Sequence, residues 1–125
     1  MQSEIQLQAK IFQTIWNQYP ETRRCLFSVP NGGTRNLVEA TQLKASGLVA
    51  GEPDLILVWS CKVYGFEVKT ETGTLSLSQK EVHKAWKTQG IDVYIIRSVD
   101  DGIQLISDII QGNPVSLYSR LLSVA

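Results

Sequence analysis

The chain has little of what metal-cluster, membrane-spanning and strongly polyanion-gripping proteins depend on. Its 125 residues hold two cysteines and one histidine. Cys25 and Cys61 lie far apart with no CxxC pattern, which reads as a reduced pair rather than a disulfide framework or redox motif. Two cysteines and one distant histidine do not make a four-ligand set, so a structural zinc site is excluded. No apolar run approaches the ~20 residues that span a bilayer, and the N-terminus is polar and acidic, unlike a signal peptide. A cytoplasmic protein with no membrane partner is expected. Twelve basic side chains balance twelve acidic ones, so the basic excess of a sequence-independent nucleic-acid binder is missing. Repeats, linkers and low-complexity segments are missing too.

What remains is an ordinary globular composition, 43% hydrophobic and 19% charged. The length suits one domain over residues 1–125, able to bury roughly two-thirds of its unfolded surface. Residues from about 3 to 19 read as an amphipathic helix capped by Ser3 and stopped by Pro20. Ile5, Ala9, Phe12, Trp16 and Tyr19 recur at helical spacing, with Leu7, Ile11 and Ile15 widening the stripe. Leu26 to Val29 is a short strand closed by Pro30-Asn31-Gly32-Gly33. A second helix spans Asn36 to Ala45, with Gly47 as its stop. Two strands follow, Leu55 to Trp59 and Lys62 to Val68, broken only by Ser60-Cys61. A third helix runs from near Leu77 to Gly90, a buried strand from Ile91 to Ile96, and a helix from Val99 to Gln111. A tail helix over 114–125, carrying Leu117, Leu121 and Leu122, completes the chain. The order α-β-α-β-β-α-β-α, with a hairpin apolar on both faces, predicts an α/β three-layer sandwich around a mixed central sheet.

The hairpin carries the chemistry. A turn centred on Ser60-Cys61 sets Trp59 against Lys62, Leu57 against Tyr64, and Asp54 against Glu67. Opposed residues share a face with Cβ atoms ~4.5–5.5 Å apart, and like charges so placed repel. Lys69, two residues beyond Glu67, falls on the same face. Two carboxylates and an ammonium on one patch suit a hard divalent cation such as Mg²⁺, with the Val68 carbonyl as a third protein oxygen. The plainer alternative is a surface ion cluster in which Lys69 bridges both acids. On the third helix, Val82, Ala85, Trp86 and Gln89 form the apolar-leaning face, and Gln79 joins it from the first turn. Either Ser76 or Ser78 serves as the capping-box serine, and the N-terminal dipole near Gln79 favours phosphate. Lys80, Lys84 and Lys87 make a basic stripe on the opposite face, either a solvated surface or a contact to DNA. Glu4, in the first turn of the first helix, reads on its own as a dipole-compensating residue. His83, without a partner nearby in sequence, reads as structural or exposed.

Pro53-Asp54, a twelve-residue gap and Glu67-Val68-Lys69 resemble the PD-(D/E)xK nuclease motif. With Glu4, Val29-Pro30-Asn31-Gly32-Gly33 and Arg35, Gly51-Glu52-Pro53-Asp54, Leu75-Ser76-x-x-Gln79 and Gly90, residues 3 to 106 resemble the stand-alone VRR-NUC (virus-type replication-repair nuclease) domain. That resemblance implies a restriction-endonuclease-like core over about 3–111 and a Mg²⁺- or Mn²⁺-dependent DNA endonuclease of replication, repair or recombination. It further implies a structure-selective enzyme, like the phage-encoded resolvases that cut Holliday junctions as homodimers. By the same resemblance Glu4, Asp54, Glu67 and the Val68 carbonyl hold metal, Lys69 is catalytic, and Gln79 orients water or phosphate. Asn31 and Arg35 sit at the site's edge or on DNA. The first helix or the tail is the expected dimer surface. A catalytically silent DNA- or protein-binding module of the same fold is the alternative.

Overall fold

Two runs of β-branched and aromatic residues, joined by Ser60-Cys61, fold back on each other at the centre of the molecule. In the computed structural model, which describes residues 2–30 and 36–115, they are β2 (Leu55–Trp59) and β3 (Lys62–Val68). Their antiparallel register sets Leu57 against Tyr64 and Trp59 against Lys62, as the sequence predicts. Ser60 and Cys61 take φ of 52° and 62°, the double left-handed geometry of a two-residue turn whose twist matches a hairpin. Neither residue is a glycine, so the turn carries local backbone strain.

The remaining elements are α1 (Glu4–Gln18), a short 3-10 turn (Pro20–Thr22), β1 (Leu26–Ser28), α2 (Leu37–Ala45), α3 (Leu77–Thr88), β4 (Val93–Ile96) and α4 (Val99–Gln111). The sheet order is β1-β2-β3-β4. β1 and β3 run antiparallel to β2, and β4 runs parallel to β3, so the sheet is mixed. One face, carrying Leu55, Leu57, Phe66 and Ile96, packs against Ile11 and Ile15 of α1 and Leu105, Ile106 and Ile109 of α4. α4 approaches closely because residue 102 is glycine. A Cβ there would lie 2.7 Å from Ile11 Cδ1 and 2.9 Å from Ile96 Cγ2.

Three expectations need correction. In α1 the buried face is Leu7, Ile11 and Ile15, while Ile5 and Trp16 are exposed; the flank of the stripe, not its centre, meets α4. In α3 the inward face is Gln79, Val82, His83 and Trp86, with Ala85 and Gln89 exposed. The second sheet face is only partly covered. α3 spans its β3–β4 half, whereas α2 buries no residue of its own and Phe27, Val58 and Val63 stay exposed. The tail helix proposed for 114–125 lies outside the described residues from 116 onward, as do Asn31 and Arg35. Among the described residues, no helix is long and apolar enough to cross a membrane.

Candidate active site

Proline at 53 shapes the site through what it lacks. The hairpin ladder ends at Leu55 and Phe66, and the hydrogen-bonded rung beyond would match Val68 with Pro53, which has no N–H to donate. Pro53 thus leaves the Val68 carbonyl without its ladder donor, while on the other half of the rung Asp54 Oδ2 replaces the Pro53 carbonyl as acceptor of the Val68 N–H, at 2.7 Å. In an extended strand a residue's N–H and C=O point the same way. The Val68 carbonyl therefore faces the Asp54 side. On its other edge Asp54 is fixed through its own carbonyl, which accepts from Val29 N–H at 2.9 Å.

Glu67 sits beside Asp54, fully buried, and three side chains converge on it. His83 Nε2 lies 2.9 Å from Oε1, Gln79 Nε2 donates to Oε2 at 3.3 Å, and Asp54 is within hydrogen-bonding reach. Gln79 is held by a second bond. Its Oε1 accepts the Ser76 N–H at 2.8 Å while Ser76 Oγ accepts the Gln79 N–H at 3.2 Å. Ser76, not Ser78, thus closes the capping box, and one glutamine ties the start of α3 to a carboxylate on the sheet. Gly51 makes the approach possible. Its φ is 94°, and a Cβ there would clash with the Ser78 carbonyl oxygen.

Burial pushes the Asp54 carboxyl up from 3.8 to about 7, helped by its hydrogen bond and charge repulsion with Glu67. The Val68 N–H and the Lys69 charge pull the other way. Lys69 is itself buried, 8% exposed, and forms no ion pair among the described residues. That overturns the alternative of a surface ion cluster: Lys69 does not bridge the acids, and Glu67 is fully buried while Asp54 is only partly exposed. A cleft of about 350 Å³ opens onto Asp54 and is lined also by Glu4, Gln8, Ser28 and Pro30. Glu4 is exposed at the start of α1 and faces the same space. No three His, Cys, Asp or Glu side chains among the described residues converge as a ready-made metal group. The donor set is two carboxylates and a backbone carbonyl, with a third carboxylate lining the cleft. Hard oxygen ligands with room for water fit Mg²⁺ or Mn²⁺ rather than zinc.

Lys80, Lys84 and Lys87 are exposed. At 100° per residue they run about 100° round α3 from Gln79, a flank rather than the opposite face. Two residues of the site escaped the sequence. His83 is one turn beyond Gln79, and that i,i+4 spacing was the available signal. Arg97 donates from Nη1 to the carbonyls of Thr70 and Gly73 at 2.8 and 2.7 Å, fastening the loop that leaves Lys69; no sequence pattern announces it.

No protein-family model matches the sequence, and no curated protein does either. Among solved structures, a VRR_NUC domain protein superposes with a TM-score of 0.75, covering 90% of this chain and 92% of its own, at 20% sequence identity. An α/β fold with a four-stranded mixed sheet flanked by helices is thus shared between the two. The chain has the fold of a VRR_NUC domain protein.

Proposed function

We propose that the protein is a Mg²⁺- or Mn²⁺-dependent DNA endonuclease of the VRR-NUC type, acting in the cytoplasm on branched DNA. The observation that carries this reading is the Asp54–Glu67 pair: two carboxyls held within hydrogen-bonding reach, one pushed up to about 7, beside a buried lysine. Such a pair lacks a cation. Asp54, Glu67 and the Val68 carbonyl would hold a divalent ion, with Glu4 joining from across the cleft. When bound, the ion supplies Lewis acidity and positive charge toward a phosphate oxygen. Lys69 would supply positive charge at the same spot and orient the attacking water through its N–H donors. Gln79 fixes Glu67 and brings the start of α3 to the site, where N–H groups favour phosphate. Lys80, Lys84 and Lys87, with Asn31 and Arg35, would hold the DNA backbone. A homodimer belongs to the same proposal, since two-fold symmetry presents two sites to a four-way junction; sedimentation should find two copies per particle.

The test is cleavage of linear, flapped and four-way synthetic DNA with Mg²⁺ or Mn²⁺. Branched substrates should be cut, EDTA should stop the reaction, and Asp54→Asn or Glu67→Gln should abolish it. DNA binding without cleavage of any substrate would instead establish a silent binding module.

A further inference from the structure

The sequence holds one histidine, and the fold places it almost out of solvent against a carboxylate. His83 is 1% exposed and Glu67 0%. Packing alone does not call for an imidazole at this point of the helix–sheet contact, because Val82 and Trp86 fill the same inward face of α3. A buried ring nitrogen needs a partner, and here the partner is the carboxylate proposed to hold the ion. A carboxylate accepts, so Nε2 carries the hydrogen and donates to Oε1 over 2.9 Å.

We infer that His83 is the positioning residue for Glu67. A glutamate held at one oxygen still swings about its last torsion. Held at Oε1 by His83 and at Oε2 by Gln79, both on one rigid helix, it has a fixed plane. An ionised carboxylate offers about four acceptor sites, so two remain for Asp54 and for a cation. His83 therefore acts on the ion through Glu67 rather than by touching it. A change at Glu67 is in turn felt at the imidazole. This inference rests on the divalent-ion reading proposed above.

The lone histidine gives a signal of its own. In untagged ¹⁵N-labelled protein, imidazole ¹H–¹⁵N correlations arise from His83 only. Titration with Mg²⁺ should move them saturably, with the midpoint that calorimetry gives for Mg²⁺ binding, and Glu67→Gln should remove the response. His83→Leu should weaken Mg²⁺ binding roughly 10–100-fold, the range for loss of a residue that orients a metal ligand. His83→Gln, which keeps a donor at the same reach, should recover most of it. Calorimetric Mg²⁺ binding with unmoved imidazole signals would overturn the inference, and so would equal Mg²⁺ affinity in His83→Leu. The imidazole experiment uses the wild-type protein, so it stands even if His83→Leu does not fold. If calorimetry detects neither Mg²⁺ nor Mn²⁺ on the wild type, the ion reading itself fails and takes this inference with it.

Discussion

Asp54→Asn should stabilise the metal-free protein at high pH and leave it unchanged at low pH. The folded protein holds the Asp54 proton up to about pH 7, against an ordinary 3.8. A group whose folded value is raised contributes stability that is complete below its unfolded value and is lost as pH rises through the folded one. At full burial that difference corresponds to about 4 kcal/mol. Asp54 keeps partial solvent contact, so about 2 kcal/mol is the working figure after allowing for screening. Asparagine copies the protonated acid: its amide N–H can donate to Glu67 while its oxygen still accepts from Val68. Urea unfolding in EDTA at pH 5 and pH 8.5 reads the effect. Because pH 5 already lies above the unfolded value, only about 1.2 kcal/mol is still to be lost. The wild-type midpoint should therefore fall by roughly 0.6 M across that span, given slopes of ~1–3 kcal/mol/M, and the variant should lag well behind. Comparing the two proteins removes the contribution of every other titrating group. Saturating Mg²⁺ should restore the wild type at pH 8.5 but not the variant, because only the ionised carboxylate gains a ligand. A wild-type midpoint that does not move between the two pH values, or a variant that falls in parallel with it, refutes the argument.

Three further outcomes are expected. Lys69→Ala should lower cleavage by roughly 10²–10⁴-fold while calorimetric metal binding persists; wild-type rates would remove Lys69 from the mechanism. Reversing Lys80, Lys84 and Lys87 to glutamate should weaken DNA binding and flatten the slope of log affinity against log salt by about 3. Unchanged affinity would return that flank to simple solvation. Replacing Ser60-Cys61 with Asn-Gly should raise unfolding stability by about 1 kcal/mol, since both positions need left-handed φ that these residues adopt with less strain; a thermal melt that does not rise would mean the turn is not strained.

The sequence carried the elements that local chemistry decides. The hairpin register followed from strand length and a two-residue gap, and it already placed Asp54 opposite Glu67. α4 runs from Val99 to Gln111 as expected, since Gly112-Asn113-Pro114 breaks it; in the structure Gly112 takes φ of 72° and Ser98 caps the other end. What failed was choice between faces. α1 carries two adjacent apolar stripes, and only α4 lying against Ile11 and Ile15 decides which is inward. His83 was legible as a helical neighbour of Gln79, but not as a partner of Glu67. That pairing depends on how α3 is rotated over the sheet, and the Ser76–Gln79 box and the Gly51 contact set that rotation. Arg97 was invisible because it bonds only to carbonyls, which every residue has.

A stability account of Asp54 and Glu67 on their own ends in a deficit. Burying an ionised carboxylate costs several kcal/mol unless it is paired and hydrogen-bonded, and bringing a second acid alongside adds repulsion. The fold answers with donors rather than a counter-ion: the Val68 N–H on Asp54, and Gln79 and His83 on Glu67. Lys69 pulls the Asp54 carboxyl down through its charge but forms no ion pair with either acid. A core built for stability would replace such a pair with apolar residues or close the bridge to Lys69, and neither has happened. Each donor here does something a packing role does not require, since it fixes the direction of a carboxyl oxygen, that of Asp54 at an open cleft and those of Glu67 buried beside it. The arrangement makes physical sense when a dication supplies the missing charge, and that is why the ion, more than the sheet or its helices, is the quantity to measure first.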